Sequence, residues 1–304
     1  MAAVTPVPSG PHGGDGARLA ESLGVEPSLV LDLSASLNPV APPVTDLVVQ
    51  HADAVTRYPD PQPATAAVAE MLDVSVDRLI LTNGGAEAIA LVAAANPTGW
   101  VTEPEFSLYR RHLQDIRAGG LRWRSNPNNP TGLLADADAQ ADVWDEAFYV
   151  LATGRWTRGD ADTWRLGSLT KAFACPGLRI GFVILPEGED RAAFEASVPR
   201  WTLNGLAAAA LPTLVTRADP DTWHRRIADL RSDLVDILGG ADLQADPSDA
   251  NYVLVRDCGD LRERLARRAI LVRDTSSFGF PGVRIAVPDD DGMRRLATTL
   301  EEIR

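Results

Sequence analysis

Cysteine is scarce in this chain: 304 residues contain two, Cys175 and Cys258. That pair forms neither a metal-ligand spacing nor a disulfide framework, which excludes a thiolate metal centre and suits a reducing cytoplasm. Positive charge is short as well. Lys and Arg total 29 against 42 Asp and Glu, giving a net charge of −13 and a pI near 4.7. A surface of that sign excludes general attraction to nucleic acid or to anionic membranes, so any phosphate must be gripped locally and the partner is expected to be a small molecule. Long apolar runs are missing too. The longest, LAAAALPTLV from Leu206 to Val215, is interrupted by Pro212 and is too short to span a bilayer. No basic region followed by an apolar segment opens the chain, so no targeting signal is expected and the implied location is cytoplasmic. The sequence shows no internal repeat and no low-complexity tract.

What remains is the profile of a globular protein, 45% hydrophobic and 23% charged, long enough for one large or two ordinary domains. Residues 1–18, rich in Gly and Pro, read as an extended arm. From Leu79 the text runs LILT, NGG, AEAIALVAAA, a strand, a glycine pair and a helix, the order of an α/β unit. Further short apolar runs, FVIL at Phe182 and YVLV at Tyr252, predict strands. DPDTWHRRIADLRSDLVDILGG predicts a long helix capped by Asp219 and Pro220, with Trp223, Ile227, Leu230, Leu234 and Ile237 on one face and Gly239 as its stop. Such a helix is long enough to link two domains. The last third alternates AILVRD, VRIAV and a closing helix with Met293, Leu296, Leu300 and Ile303 in register, the pattern of a smaller α+β domain.

Four motifs carry chemistry. In NGGAEAI, Asn83 to Ile89, glycines between strand and helix leave backbone N–H groups at the helix start able to face an anion; alone, such a turn is usually only a tight connection. SNPNNPTG, Ser125 to Gly132, sets two prolines and side-chain amides at a strand end, and alone it is a surface turn. VWDEAFY, Val143 to Tyr149, places Asp145 at the end of a buried strand, where a carboxylate needs a cation or strong donors. The fourth, LGSLTKAFACPGLRIG, sets Lys171 in a run of small and hydroxyl residues with Arg179 eight positions on. A lone lysine there reads as a solvated face.

In this order the four motifs resemble those of the fold-type I pyridoxal-phosphate enzymes, the class I and II aminotransferase superfamily. The resemblance implies an α/β fold with a mostly parallel-sheet large domain and a smaller α+β domain. It divides the chain into an arm and small-domain segment (1–37), a large cofactor-binding domain (38–210) and a small domain (211–304). The cofactor implied is pyridoxal 5'-phosphate, with no metal. By the same resemblance Lys171 bonds the cofactor's aldehyde carbon, Asp145 partners its ring nitrogen, Asn129 donates to its phenolic oxygen and Phe106 stacks on its ring. Gly85, Ala86, Ser168, Thr170 and Arg179 hold its phosphate, and Tyr58 in RYPDP reaches the phosphate of a neighbouring subunit, implying a homodimer. His12, Asn38, Arg273 and Arg284 are implied as substrate contacts, Arg284 taking an α-carboxylate through a two-bond fork.

Within that family the segments HGGD (His12 to Asp15), LDLSASLNPVAPP from Leu31 and DEAF resemble the histidinol-phosphate aminotransferase branch and, inside it, the L-threonine-O-3-phosphate decarboxylases of cobalamin synthesis. In DEAF, Phe148 stands where a tyrosine is commoner among the aminotransferases. Three readings follow: decarboxylation of L-threonine O-3-phosphate to (R)-1-amino-2-propanol O-2-phosphate, transamination of histidinol phosphate or a related phosphorylated amine, and cofactor binding without turnover. One departure stands out. Between RRHLQDIRAGG and NPNNPTG, and again between Gly132 and Asp145, the chain is much shorter than the resemblance implies: LLADADAQADVW, Leu133 to Trp144, must hold both a connection and a strand, while a crossover alone usually takes at least about ten to twelve residues. A trimmed large domain is therefore expected, with the loss at the periphery of the sheet.

Overall fold

The computed structural model describes residues 12–303. Most of the arm expected at 1–18, residues 1–11, and residue 304 lie outside the described residues. Strands follow in chain order: β1 (Leu31–Asp32), β2 (Leu79–Asn83), β3 (Thr98–Val101), β4 (Asp115–Ile116), β5 (Leu121–Ser125), β6 (Val143–Asp145), β7 (Trp164–Gly167), β8 (Ile180–Ile184), β9 (Tyr252–Arg256), β10 (Ile270–Leu271), β11 (Arg273–Asp274) and β12 (Gly282–Ala286). Seven of them make one sheet in the order β2-β8-β7-β6-β5-β3-β4. Only β8 runs antiparallel to its neighbours; the other pairings are parallel. β6, β7 and β8 are buried along their full length, as strands covered on both faces must be, and their text is apolar except for Asp145 and Arg165.

A second sheet, β11-β12-β9, is antiparallel, and β1 pairs with β10 in parallel. Residues 31–33 thus belong to the smaller unit, and Leu33 itself packs in its core. The helix Pro220–Gly240 joins the two units. The Asp219 side chain accepts the Thr222 N–H and Pro220 occupies the first turn, a start that satisfies one orphan donor and presets φ. Trp223 and Ile227 pack with the large sheet's helices, while Leu230, Leu234 and Leu238 pack with β9 and β12, each burial contributing about 1.5–3 kcal/mol. The packing therefore changes over inside this helix, beyond residue 211. Ile237, expected on its apolar face, is only partly buried, and Leu238 takes the place.

The shortening has two physical forms. Between β4 and β5 only Arg117–Gly120 remain, and the chain crosses beneath the start of β3. A Cβ on Gly120 would lie 2.8 Å from the Thr98 carbonyl and the Gly99 nitrogen, so only glycine permits that crossing. Between β5 and β6, residues 126–142 contain no helix. All seven strands survive, and the second loss falls in the layer over the middle of the sheet, not at its edge. Arg158 fills part of that layer. Its guanidinium stacks 4.7 Å from the Trp144 ring centroid and donates to the carbonyls of Asp136 (3.2 Å), Ala137 (2.7 Å) and Ala139 (3.0 Å). Arg124 stacks on the same ring at 5.4 Å.

Candidate active site

The C-terminal ends of β2, β6 and β7 open into one cavity of about 350 Å³, the place where open parallel sheets bind ligands. At β2 the chain turns through Gly84, φ 79°, where a Cβ would sit 2.4 Å from Arg179 Nη2. The helix Gly85–Ala95 begins there, and the N–H groups of its first turn have no intrahelical acceptor. Gly85 and Ala86 line the cavity with Ser168 and Arg179. Arg179 itself adopts a left-handed backbone, φ 55°, a strained choice for a non-glycine residue that accompanies functional placement. Helix dipole, amide groups and guanidinium converge on a seat for a phosphate.

β7 delivers Lys171 one turn past Gly167, in the short helix Leu169–Ala172. Its Nζ donates to the Ala35 carbonyl at 2.5 Å and lies 5.8 Å from the Phe148 ring centroid. Burial, reinforced by the nearby Arg284 and Arg179, pulls the Lys171 ammonium down to about 8, which makes the neutral, nucleophilic amine accessible near neutral pH. β6 ends in Asp145, 8% exposed. Its Oδ2 accepts from the Tyr109 hydroxyl at 2.8 Å and its Oδ1 from the Ala147 N–H at 3.1 Å. Burial pushes this carboxyl up and the two donors oppose that shift; no cation contributes. A buried carboxylate with donors and no cation fits a protonated ring nitrogen. Phe106 borders the same cavity and offers the ring face.

The opposite wall is cationic. Arg273 on β11 and Arg284 on β12 are direct cross-strand partners, and like charges so placed repel. Burial and Arg284 together pull Arg273 down to about 10. Arg284 donates to Asn129 Oδ1 at 2.6 Å and to the Ser34 carbonyl at 3.2 Å, stacks on Tyr252 at 4.6 Å and leaves its Nε buried without a partner. The first of these bonds fixes the Asn129 amide with its NH2 as the available donor. His12, edge-on to Phe106 at 5.8 Å, reaches the cavity with a buried Nδ1 that has no partner. Burial, then Arg273 and Arg111, lower its pKa. Such a wall suits an anionic substrate.

Twelve of the residues expected from the sequence thus border one cavity, and three placements differ from expectation. Asn38 does not line it: its Nδ2 donates to the Ala172 carbonyl (2.8 Å), its N–H to the Lys171 carbonyl (3.0 Å), and its Oδ1 accepts from Val40 (3.0 Å). It caps the lysine's short helix from behind, with its side chain turned from the cavity. Thr170 lines the cavity, but its hydroxyl exchanges two bonds with Ile180, donating to the carbonyl (3.1 Å) and accepting from the N–H (3.0 Å). Its hydroxyl therefore holds β8 in place of a phosphate. Tyr58 is 78% exposed and stacked on Trp201 at 4.5 Å, outside the cavity of its own chain. Sequence reasoning missed Glu105 and Tyr109, although both stand in EPEFSLYRR. The three-residue spacing from Phe106 to Tyr109, one helical turn, was the available signal.

Residues 123–300 match the family described as aminotransferase class I and II. The threonine-phosphate decarboxylase of Salmonella typhimurium is 28% identical over 96% of this chain and 96% of its own length. Its alignment runs to 351 positions, more than the 304 residues here, so it includes positions of the relative with no counterpart in this chain. The histidinol-phosphate aminotransferase of Halorubrum lacusprofundi is 28% identical over 93% of this chain and 92% of its own. Among solved structures, the histidinol-phosphate aminotransferase from Sinorhizobium meliloti in complex with pyridoxal-5'-phosphate superposes with a TM-score of 0.80 at 20% identity, covering 100% of this chain and 98% of that one.

Proposed function

Because the chain belongs to the class I and II aminotransferase family, we propose that it is a pyridoxal-phosphate enzyme that decarboxylates L-threonine O-3-phosphate to (R)-1-amino-2-propanol O-2-phosphate. One observation carries the choice of substrate: two buried arginines, Arg273 and Arg284, face each other across adjacent strands at the cavity wall. A substrate with two anionic ends relieves their repulsion: L-threonine O-3-phosphate brings a carboxylate and a phosphate together, histidinol phosphate brings no carboxylate, and in the second reading only the 2-oxo acid co-substrate would fill both. The likeness to the Salmonella decarboxylase over nearly the whole chain supports the same reading. Transamination remains the second reading, favoured by the histidinol-phosphate aminotransferase relatives.

The residues present fit the cofactor. The first turn of the helix Gly85–Ala95, Ser168 and Arg179 would hold its phosphate, Asp145 its ring nitrogen, Asn129 its phenolic oxygen and Phe106 its ring face. When bound, it supplies an electrophilic aldehyde carbon and a ring that takes up the electron pair left at the substrate Cα. Lys171 supplies the amine and, held near a pKa of about 8, is suited to return a proton to Cα after the carboxylate leaves as carbon dioxide. Arg284 would grip that carboxylate through Nε and Nη2, while Arg273 and His12 would take the phosphate end. Which substituent leaves Cα is then a question of orientation, set by these grips. Tyr58 and Trp201, exposed and stacked on each other, fit a second copy of the chain whose cavity Tyr58 completes.

The test uses pure holoenzyme. Borohydride reduction should leave a pyridoxyl mass adduct on Lys171. L-Threonine O-3-phosphate should release carbon dioxide, and histidinol phosphate with 2-oxoglutarate should give no glutamate. Glutamate without carbon dioxide would establish the second reading; an unmodified Lys171 under cofactor excess would refute both.

A further inference from the structure

The turn from Glu105 to Tyr109 supplies more than a ring for stacking. Tyr109 is wholly buried, its ring 5.4 Å from Trp123 and edge-on to Phe106 at 5.9 Å. Anchored at that end in the core, its hydroxyl donates to Asp145 Oδ2 at 2.8 Å. The Ala147 N–H takes Oδ1. These two donors come from different segments, one from the helix Ser107–His112 and one from the chain just past β6, and each takes a different oxygen, so together they define the rotation of the carboxylate about Cβ–Cγ. Each oxygen keeps a lone pair for the cavity.

We propose that Tyr109 is a positioning residue for Asp145: its hydroxyl locks the carboxylate so that its remaining lone pairs face the ring nitrogen of the cofactor. The proposal rests on the pyridoxal-phosphate reading above. The chemistry favours a phenol in this role. Burial first, then the nearby Asp145 and Glu105, raise the Tyr109 pKa well above its ordinary value, so the group stays protonated and acts as a donor. Glu105, the second buried carboxyl of the cluster, accepts from the Ser125 N–H and hydroxyl, and burial pushes it up to about 8. That shift favours its protonated form, and Asp145, the carboxyl that borders the cavity, is left to answer a positive ring nitrogen. Phenylalanine at 109 would keep the packing and strip one of the two donors.

The readout is cofactor binding, not turnover. In a Lys171→Ala background, where no covalent bond masks the difference, pyridoxal phosphate affinity is measured by tryptophan quenching for Tyr109 and for Tyr109→Phe. One hydrogen bond to a charged group predicts a loss of about ten-fold or more. With Asp145→Asn added, the same Tyr109→Phe change should have no further effect, because the partner it positions is gone. In the Lys171-containing holoenzyme, Tyr109→Phe should also shift the pH midpoint of the cofactor's visible absorbance. Equal affinity losses with Asp145 intact and in the Asp145→Asn background would mean a packing role only and overturn the proposal. An unmoved midpoint together with unchanged affinity would do the same. Parent protein that binds no pyridoxal phosphate would instead overturn the cofactor reading itself.

Discussion

Arg284 shows how one side chain can serve two tasks. Its Nη1 orients Asn129 and its Nη2 touches the Ser34 carbonyl, while Nε remains buried and unpartnered, a state that costs free energy until a ligand arrives. Arg284→Lys keeps the charge and loses the fork, the Asn129 bond and the stacking on Tyr252. We expect kcat for carbon dioxide release from L-threonine O-3-phosphate to fall along with a rise in KM, by about 10–100-fold in kcat/KM. Steady-state kinetics checks this. A looser grip also lets Cα–H cleavage compete, seen as slow bleaching of the cofactor's visible band without any oxo acid. An unchanged kcat with no bleaching would remove Arg284 from orientation control.

Among the elements, the connection of residues 126–142 is the one whose stability least resembles that of a normal crossover. A helix would satisfy its own carbonyls and cover the sheet with an apolar face. Here one arginine does both jobs: Arg158 gathers three carbonyls, covers Trp144 and pairs with Asp160 at 2.7 Å. Arg158→Ala should destabilise the protein by about 1–2 kcal/mol, since it uncovers the buried Trp144 ring and strips the donor from the part-buried Ala139 carbonyl, while the Asp136 and Ala137 carbonyls are exposed and can turn to water. The denaturant midpoint should fall, and limited proteolysis should cut first between residues 133 and 142. Because Asn129 starts the same connection, cofactor retention should weaken in parallel. An Arg158→Ala protein with an unchanged midpoint would show that the connection needs no such pin. The strand β8, by contrast, is held at Ile180 by Thr170 from within the lysine motif, which ties the residue next to Arg179 to the short helix that carries Lys171.

At the scale of the whole molecule, the buried carboxyls set how stability answers pH. Glu105 is pushed up to about 8 and Glu146 to about 7, each from an ordinary 4.5 and each chiefly by burial. The folded chain keeps these protons where the unfolded chain has lost them, so stability falls as pH rises from about 4.5 through 7–8. Lys171, lowered from 10.5 to about 8, works the other way only above that range, where the unfolded chain binds the extra proton. The cofactor-free protein should therefore lose thermal midpoint between pH 5 and pH 8, and Glu105→Gln should flatten that slope. Calorimetry across the range decides; a midpoint that holds level or rises over this interval contradicts the assignment.

The sequence by itself determined the family and named twelve of the residues that border the cavity. Lys171, Asp145, Asn129 and Arg179 stand in short local motifs whose glycines, prolines and apolar lead-ins dictate a strand end or a helix start, and local chemistry of that kind is legible without neighbours. The same holds for the helix that Asp219 caps. Tertiary structure alone decided which polar side chains turn inward. Asn38 and Thr170 carry groups suited to a ligand, yet backbone atoms of Ala172, 134 residues from Asn38, and of Ile180, ten residues from Thr170 on the next strand, reach them first. Tyr109 and Asp145 lie 36 residues apart, and Arg273 faces Arg284 only because β11 and β12 pair in that register. Pairings of this kind depend on how distant segments meet, which no local pattern encodes. The missing crossover helix was visible as a shortage of residues, but that an arginine on a tryptophan would take its place is a property of the packed sheet.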